Sequence, residues 1–198
     1  MTEAVIIDSG GANLASLQFA LERLGARAFV SSDARAIAGA PRVLLPGVGS
    51  AADAMQRLRR SGLAELLPTL RQPVLGICLG MQLLFERSAE GTTECLGVLP
   101  GAVRRLEVAR GRPVPHMGWN QLLDPREDPL LEGIEPGEYF YFVHSYAVPT
   151  SEMTLAHVRY GAAVSAAVRR GNFWGTQFHP ERSASAGARL LGNFLRLT

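Results

Sequence analysis

The stretch Pro73-Val74-Leu75-Gly76-Ile77-Cys78-Leu79-Gly80-Met81-Gln82 decides how this chain folds. Its first half is a short apolar run that reads as a buried strand. A helix-forming run, Met81-Gln82-Leu83-Leu84-Phe85-Glu86-Arg87, leads out of it. A cysteine between small residues at a change from strand to helix is the thiol version of a nucleophile elbow. Gly76 and Gly80 lack the Cβ atoms that would clash in so tight a turn. The helix aims backbone N–H groups and its positive dipole end at the sulfur, which favours thiolate. A lone cysteine is more commonly a buried structural residue. Here the glycine frame and the strand–helix switch favour a reactive one.

Upstream of the elbow the pattern repeats. Val5-Ile6-Ile7 is a strand ending in the turn-rich Asp8-Ser9-Gly10-Gly11-Ala12. Asn13 is a good N-cap for a helix placing Leu14, Leu17, Leu21 and Leu24 on one face, and Gly25 closes it. Ala28-Phe29-Val30 is a second strand, residues 33–38 a short helix, and Val43-Leu44-Leu45 a third strand ending at Pro46-Gly47-Val48-Gly49-Ser50. Ser50 caps a helix from about Ala51 to Arg60, and residues 63–70 form another. Strands alternating with helices at this spacing imply βαβ units and a parallel sheet with helices on both faces. Sites in such sheets lie at the carboxyl ends of the strands. The loops at residues 8–12, 46–50 and the elbow all lie at such ends.

After about Ser88 the pattern changes to short alternating segments split by Gly and Pro, such as Ala102-Val103-Arg104-Arg105-Leu106 and Tyr139-Phe140-Tyr141-Phe142-Val143. These read as antiparallel strands, so the sheet is mixed. Residues 163–168 and 173–178 form a hairpin turning at residues 169–172, and residues 186–197 carry a closing helix. The predicted fold is α/β: a mixed, mainly parallel, flavodoxin-like central sheet flanked by helices, with an antiparallel strand-rich C-terminal half. One domain, residues 1–198, is expected from the length and the absence of a linker.

Composition narrows the function classes. A net charge of +2 gives no argument for nucleic acid, and all 20 basic side chains are Arg. No apolar run is long enough to span a bilayer. The N-terminus reads directly as a strand with no basic leader, so no signal peptide is expected. Two cysteines do not make a disulfide framework, and a cytosolic, reducing setting suits a nucleophilic thiol. No cluster has metal-ligand spacing and no phosphate or dinucleotide fingerprint is present, so no metal or cofactor is expected.

A thiolate nucleophile needs a base, and the base an orienting group. Of the four histidines, His179 is best placed: it ends the strand Trp174-Gly175-Thr176-Gln177-Phe178 and precedes Pro180. In an extended segment Glu181 points the same way and can hold one ring N–H. His-Pro-Glu alone is a weak signal; paired with the elbow it becomes strong. A tetrahedral oxyanion needs donors that cannot titrate. Leu79 N–H supplies one, and residues 46–49 a second, from Val48 or Gly49. His144 is a second base candidate, although its aromatic surroundings suit a partly buried structural histidine, with Ser145 and Tyr146 nearer a ligand. His116, in Pro115-His116-Met117-Gly118-Trp119-Asn120, sits in what reads as a compact, rigid contact loop. His157 reads as a core or surface residue only, and Cys95, which lacks an elbow frame, as structural.

The elbow together with His179-Pro180-Glu181 resembles the class I, triad-type glutamine amidotransferase family. Pro46-Gly47-Val48-Gly49-Ser50, Pro115-His116-Met117-Gly118-Trp119-Asn120, Tyr141-Phe142-Val143-His144-Ser145-Tyr146 and Gln177-Phe178-His179-Pro180-Glu181-Arg182-Ser183 narrow the resemblance to the glutaminase subunits of imidazole glycerol phosphate synthase. It spans nearly the whole chain. It implies Cys78 as nucleophile, His179 as acid and base, and Glu181 as its orienter. It also implies Val48 and Leu79 as oxyanion donors, and Gly47, Gly49, Gln82, Ser145 and Tyr146 as contacts to glutamine. The implied partner is a (β/α)8-barrel cyclase subunit that takes up ammonia, facing Asn13, Pro115, Met117, Trp119, Asn120 and Arg182. Two positions depart from the family pattern: Ser9 stands where Tyr is usual and Ala12 where Gly is usual. Arg182 stands where Lys is common, which keeps the charge and changes ion-pair geometry. Two other readings remain: an amidotransferase subunit serving a chorismate-using partner, and a non-catalytic flavodoxin-like module with a redox-sensing thiol.

Overall fold

The computed structural model describes residues 3–8 and 14–198. The expected cap at Asn13 and the departures at Ser9 and Ala12 lie outside the described residues.

The first half runs β1 (Glu3–Ile7), α1 (Leu14–Arg23), β2 (Arg27–Ser31), α2 (Ala34–Gly39), β3 (Val43–Gly47), α3 (Ala51–Arg60), α4 (Leu63–Leu66), β4 (Val74–Cys78) and α5 (Leu79–Leu83). The second half runs β5 (Phe85–Ser88), β6 (Thr93–Glu94), β7 (Leu99–Arg105), β8 (His116–Gln121), β9 (Tyr139–His144), β10 (Tyr146–Ala147), β11 (Thr154–Tyr160), β12 (Ala162–Arg170), β13 (Phe173–Thr176) and α6 (Ala184–Phe194). The caps follow the side-chain chemistry. Asp33 accepts from Ala36 N–H and Ser50 from Asp53 N–H, each satisfying a donor the helix itself cannot. Gly25, at φ +80°, ends the first helix with its N–H on the Glu22 carbonyl.

The central sheet has seven strands in the order β11-β12-β13-β4-β3-β1-β2. β2, β1, β3, β4 and β13 are mutually parallel, and β12 and β11 run antiparallel at one edge. Successive residues of β1 and β4 feed opposite faces. Ala4, Ile6, Leu75 and Ile77 join the cluster under α1 and α6, whereas Val5, Ile7 and Val74 join the cluster under α2, α3 and α4. Strands buried on both faces explain the continuous apolar runs in the sequence. The register decides the function: β4 lies between β3 and β13, with Gly47 opposite Cys78 and Thr176 opposite Ile77. The carboxyl ends of these strands therefore open side by side.

The structure departs from the sequence expectation at several points. The helix after Cys78 stops at Leu83, and residues 85–88 form β5, paired with β6 and β7. Helix propensity in that run loses to burial of Phe85 opposite Leu99. Residues 116–121 are not a loop but the strand β8, antiparallel to β9. Their period-2 alternation is the signal: His116 is buried, while Met117 and Trp119 are exposed. His116 consequently belongs to the interior and not to a contact surface. Residues 63–70 break after Leu66 into a 3-10 turn holding Pro68, which cannot donate to a continuing helix. The β12–β13 ladder extends to Arg170 opposite Phe173, which leaves only Gly171 and Asn172 for the turn. Leu24 lies past the end of α1 and is exposed.

Candidate active site

Cys78 occupies the N-cap position of α5 at φ +54°, ψ −110°. A non-glycine residue in that region carries backbone strain of about 1–3 kcal/mol, which persists only where the surroundings enforce it. Here they do. A Cβ on Gly80 would stand 1.7 Å from the Leu45 carbonyl oxygen of β3, and one on Gly76 would stand 2.8 Å from Gly80 and Met81 backbone atoms. Only glycine at both positions lets α5 sit directly on β3 and β4, and that approach pushes the cysteine out at the turn.

His179 follows β13 by three residues. Its backbone N–H donates to the Tyr141 carbonyl of β9 at 2.9 Å. Pro180 opens a 3-10 turn, Pro180–Arg182, that folds Glu181 back so that its Oε1 meets His179 Nδ1 at 2.9 Å. The contact expected from an extended i, i+2 geometry thus arises from a turn. Both side chains are more than nine-tenths buried. Burial alone disfavours the imidazolium. The hydrogen-bonding influence of Cys78 and Glu181 and their negative charge outweigh it and raise the His179 pKa to about 10. Among the described residues Nε2 of His179 has no well-formed hydrogen bond; the sulfur acts on it as a neighbouring acceptor and charge.

Cys78, His179 and Glu181 line one cavity of about 300 Å3 at the carboxyl ends of β3, β4 and β13. Gly47, Val48, Gly49 and Leu79 form its wall beside the sulfur, and Gly49 has φ +89°. Gln82 and Tyr146 also line it, whereas Ser145 does not. Gln82 Nε2 donates to the Tyr146 carbonyl at 2.8 Å and to Gln177 Oε1 at 3.0 Å. The Cys78 sulfur lies 3.7 Å from the Val143 carbonyl and 3.8 Å from Gln177 Nε2.

Some residues here escaped the sequence reading. Gln177 is fully buried against the sulfur; an amide inside an otherwise apolar strand end was the available signal. Glu90 lines the cavity and its carboxylate accepts from Ala51 N–H at 2.8 Å, which ties the start of α3 to the site. Nothing in its local sequence marks it. His144 lines the cavity but is turned away from base chemistry. Its Nδ1 pairs with the Tyr146 carbonyl, and burial holds its pKa down to about 3.

The residues expected to face a partner do not all face outward. In the β8–β9 ribbon Trp119 stands opposite Tyr141, Met117 opposite Val143 and Gln121 opposite Tyr139. This outer face exposes Met117, Trp119 and Tyr139, and Pro115 is exposed beside it. Arg182 also lines the cavity, with its guanidinium 5.1 Å from the Tyr141 ring. Asn120 lies on the inner face and bonds His116. Among the described residues no group of His, Cys, Asp or Glu has metal-binding geometry. No helix there is long and apolar enough to cross a membrane.

Residues 5–197 match the family described as glutamine amidotransferase class-I. The chain belongs to the class-I glutamine amidotransferase family. Within this amidotransferase family it is 55% identical, over all 198 of its residues and 99% of the relative, to the imidazole glycerol phosphate synthase subunit HisH of Xanthomonas euvesicatoria pv. vesicatoria (strain 85-10). It is equally 55% identical to the subunit of the same name from Xylella fastidiosa (strain Temecula1), covering 100% of this chain and 98% of that one. The amidotransferase fold is shared with more distant structures. A glutamine amidotransferase crystal structure superposes with a TM-score of 0.75 at 22% identity, covering 97% of this chain and 96% of that one. The structure of PurLQS from Thermotoga maritima gives 0.71 at 22% identity, covering 98% and 97%.

Proposed function

We propose that this chain is the glutaminase subunit of imidazole glycerol phosphate synthase, acting in histidine biosynthesis as one amidotransferase domain. The observation that carries the reading is the meeting of an elbow cysteine with a buried His–Glu pair in one cavity. Relatives named HisH that align over the entire chain support this acceptor over a chorismate-using partner. A redox-sensing thiol would not need the His179–Glu181 pair.

The chemistry follows from the proton on His179. With its pKa raised to about 10, the ring holds its proton at neutral pH. Cys78 sulfur attacks the glutamine carboxamide, and the C–S bond forms as the carbonyl becomes an oxyanion. Leu79 N–H and Val48 N–H are the donors that receive it. Collapse breaks the C–N bond, His179 delivers its proton, and ammonia leaves. The ring, now neutral, takes a proton from water as water attacks the thioester. The C–S bond breaks, glutamate departs and the imidazolium is restored. Glu181 holds the ring in one orientation throughout. Gly47, Gly49, Gln82 and Tyr146 shape the glutamine pocket, with Ser145 behind it. Glu90 adds a carboxylate suited to the α-ammonium group. Ammonia passes to a (β/α)8-barrel cyclase, which uses it to make imidazole glycerol phosphate and aminoimidazole carboxamide ribotide. That cyclase docks on Pro115, Met117, Trp119 and Arg182, with Asn120 at the margin. The setting is the cytoplasm, where both thiols stay reduced.

Glutamine hydrolysis measured with and without the cyclase and its nucleotide substrate tests the reading. Low turnover alone and strong stimulation by the pair are expected. Equal, high rates in both conditions reject the coupling.

A further inference from the structure

Beneath the β8–β9 ribbon, two buried histidines touch, and their protonation pattern is fixed from both ends. Asn120 Oδ1 accepts from Gln121 N–H at 2.8 Å, which orients the amide. Its Nδ2 then faces the Arg159 carbonyl at 3.3 Å and His116 Nε2 at 3.2 Å. His116 Nε2 is therefore an acceptor, and the ring carries its proton on Nδ1. That proton points at His144 Nε2, 3.0 Å away. His144 in turn keeps its proton on Nδ1 and donates it to the Tyr146 carbonyl at 2.8 Å. Every donor along this line points the same way, from Asn120 to the Tyr146 oxygen.

The line does not stop there. The Tyr146 oxygen also accepts from Gln82, which donates as well to Gln177 Oε1. That second bond turns Gln177 so that its Nε2 faces the Cys78 sulfur at 3.8 Å. The side chains of this network outside the ribbon are buried, and His116 is clamped between Phe142 and Tyr160, at ring-centroid distances of 5.0 Å and 4.0 Å. Its far end, Asn120, shares β8 with the exposed Met117 and Trp119. Low-dielectric surroundings make such a chain rigid when every member is satisfied and costly when one is not.

We propose that two hydrogen-bond runs, Asn120–His116–His144 and Gln82–Gln177–Cys78, meet at the shared Tyr146 carbonyl acceptor and form one relay joining the outward β8–β9 ribbon to the Cys78 sulfur, with His116 and Gln177 as positioning residues for the nucleophile. A partner pressing on Trp119 bears on the same strand that presents His116 and Asn120 to the relay. Displacement of that strand is felt at Gln177, and so at the sulfur, through a series of directional bonds. The Val143 carbonyl, opposite Met117 in the same ribbon, accepts from the Cys78 sulfur at 3.7 Å when that sulfur carries its proton.

The inference rests on the glutaminase reading, so its test includes a measurement that needs neither glutamine nor cyclase. His116→Phe keeps the ring stack and removes both nitrogens; His116→Gln restores one acceptor and one donor; Gln177→Leu removes the donor to sulfur. In the complex, His116→Phe should lower stimulated kcat about tenfold with the KM for glutamine changed less than about twofold, and His116→Gln should recover most of the loss. Cyclase affinity should be unchanged. In the free chain, Gln177→Leu should slow iodoacetamide alkylation of the Cys78 peptide about threefold, because the thiolate loses a donor. The relay is overturned if the folded His116→Phe and His116→Gln variants are equally impaired, if both match the unsubstituted chain, or if the loss follows weakened cyclase binding. Should His116→Phe fail to fold, the alkylation rate of Gln177→Leu decides alone, an unchanged rate overturning the relay. Absence of stimulated hydrolysis in the unsubstituted chain overturns the glutaminase reading and leaves the alkylation result standing.

Discussion

Gly80 presses so closely on β3 that a methyl group on its Cα would lie 1.7 Å from the carbonyl oxygen of Leu45. That oxygen belongs to the backbone of a central strand and cannot swing aside. Gly80→Ala must therefore lift α5 off the sheet and carry Leu79 N–H and the Cys78 sulfur with it. Destabilisation of about 1–3 kcal/mol is expected from overpacking, with loss of glutamine hydrolysis. Thermal denaturation and the stimulated glutaminase assay measure the two effects.

The strain at Cys78 gives a prediction with an unusual sign. At an ordinary position glycine is less stabilising than alanine by about 0.5–1 kcal/mol. At φ +54° alanine keeps the strain and glycine relieves it. Cys78→Gly should be the more stable of the two by about 1 kcal/mol, while neither variant hydrolyses glutamine. Urea denaturation of the pair checks the order; a less stable Gly variant would mean that the elbow is not strained.

The His179–Glu181 pair sets a pH dependence. The ring's folded pKa, about 10, is raised above the ordinary 6.5. Between those values the folded chain binds the proton more tightly than the unfolded one, so stability falls as pH rises. The contribution is complete below about pH 6.5 and is lost as pH passes through 10. His179→Asn should flatten the melting temperature between pH 7 and about 10 relative to the unsubstituted chain. A parallel pair of curves would reject the raised pKa.

His116 and His144 act at the other end of the scale. Burial holds them down to about 4 and about 3. Below the ordinary 6.5 the unfolded chain takes up protons that the folded chain refuses, so their contribution, present above pH 6.5, is lost as pH falls toward 4. Stability of the unsubstituted chain should fall more steeply than that of His116→Phe across this range. Melting temperatures at successive pH values give the comparison.

Trp119 is exposed on the outer ribbon face, and its ring lies 6.0 Å from Tyr141 at 73°. Trp119→Ala should leave the melting temperature of the free chain nearly unchanged. In cyclase binding it should cost about 2 kcal/mol, as expected for a buried aromatic anchor. Calorimetric titration with the cyclase reads the difference.

The strand–helix alternation of the first half was legible because the inner parallel strands β1, β3 and β4 are buried on both faces and side-chain caps at Asp33 and Ser50 open α2 and α3. Cys78, His179 and Glu181 were legible for a related reason: glycines and a proline mark the backbone turns that present them. What stayed hidden depended on long-range pairing. Residues 85–88 carry helix-forming side chains, and only Leu99 across the sheet makes them a strand. The inward turn of His116 and Asn120 depends on pairing with β9, which starts 18 residues after β8 ends, at Tyr139. Glu90 reaches the cavity from a 3-10 turn whose place is set by α3. In each case the local pattern is compatible with two structures, and a contact distant in sequence selects between them.

β13 sits between β4 and β12, so one of the inner strands of the sheet is also the last to leave the ribosome. A growing chain can assemble the first four parallel strands and display its cysteine long before any imidazole exists to serve it. Only when the final segment is threaded alongside β4 do His179 and Glu181 reach the cavity that holds the thiol, so on the proposed chemistry an unfinished or truncated product carries the fold's first half without the power to consume glutamine.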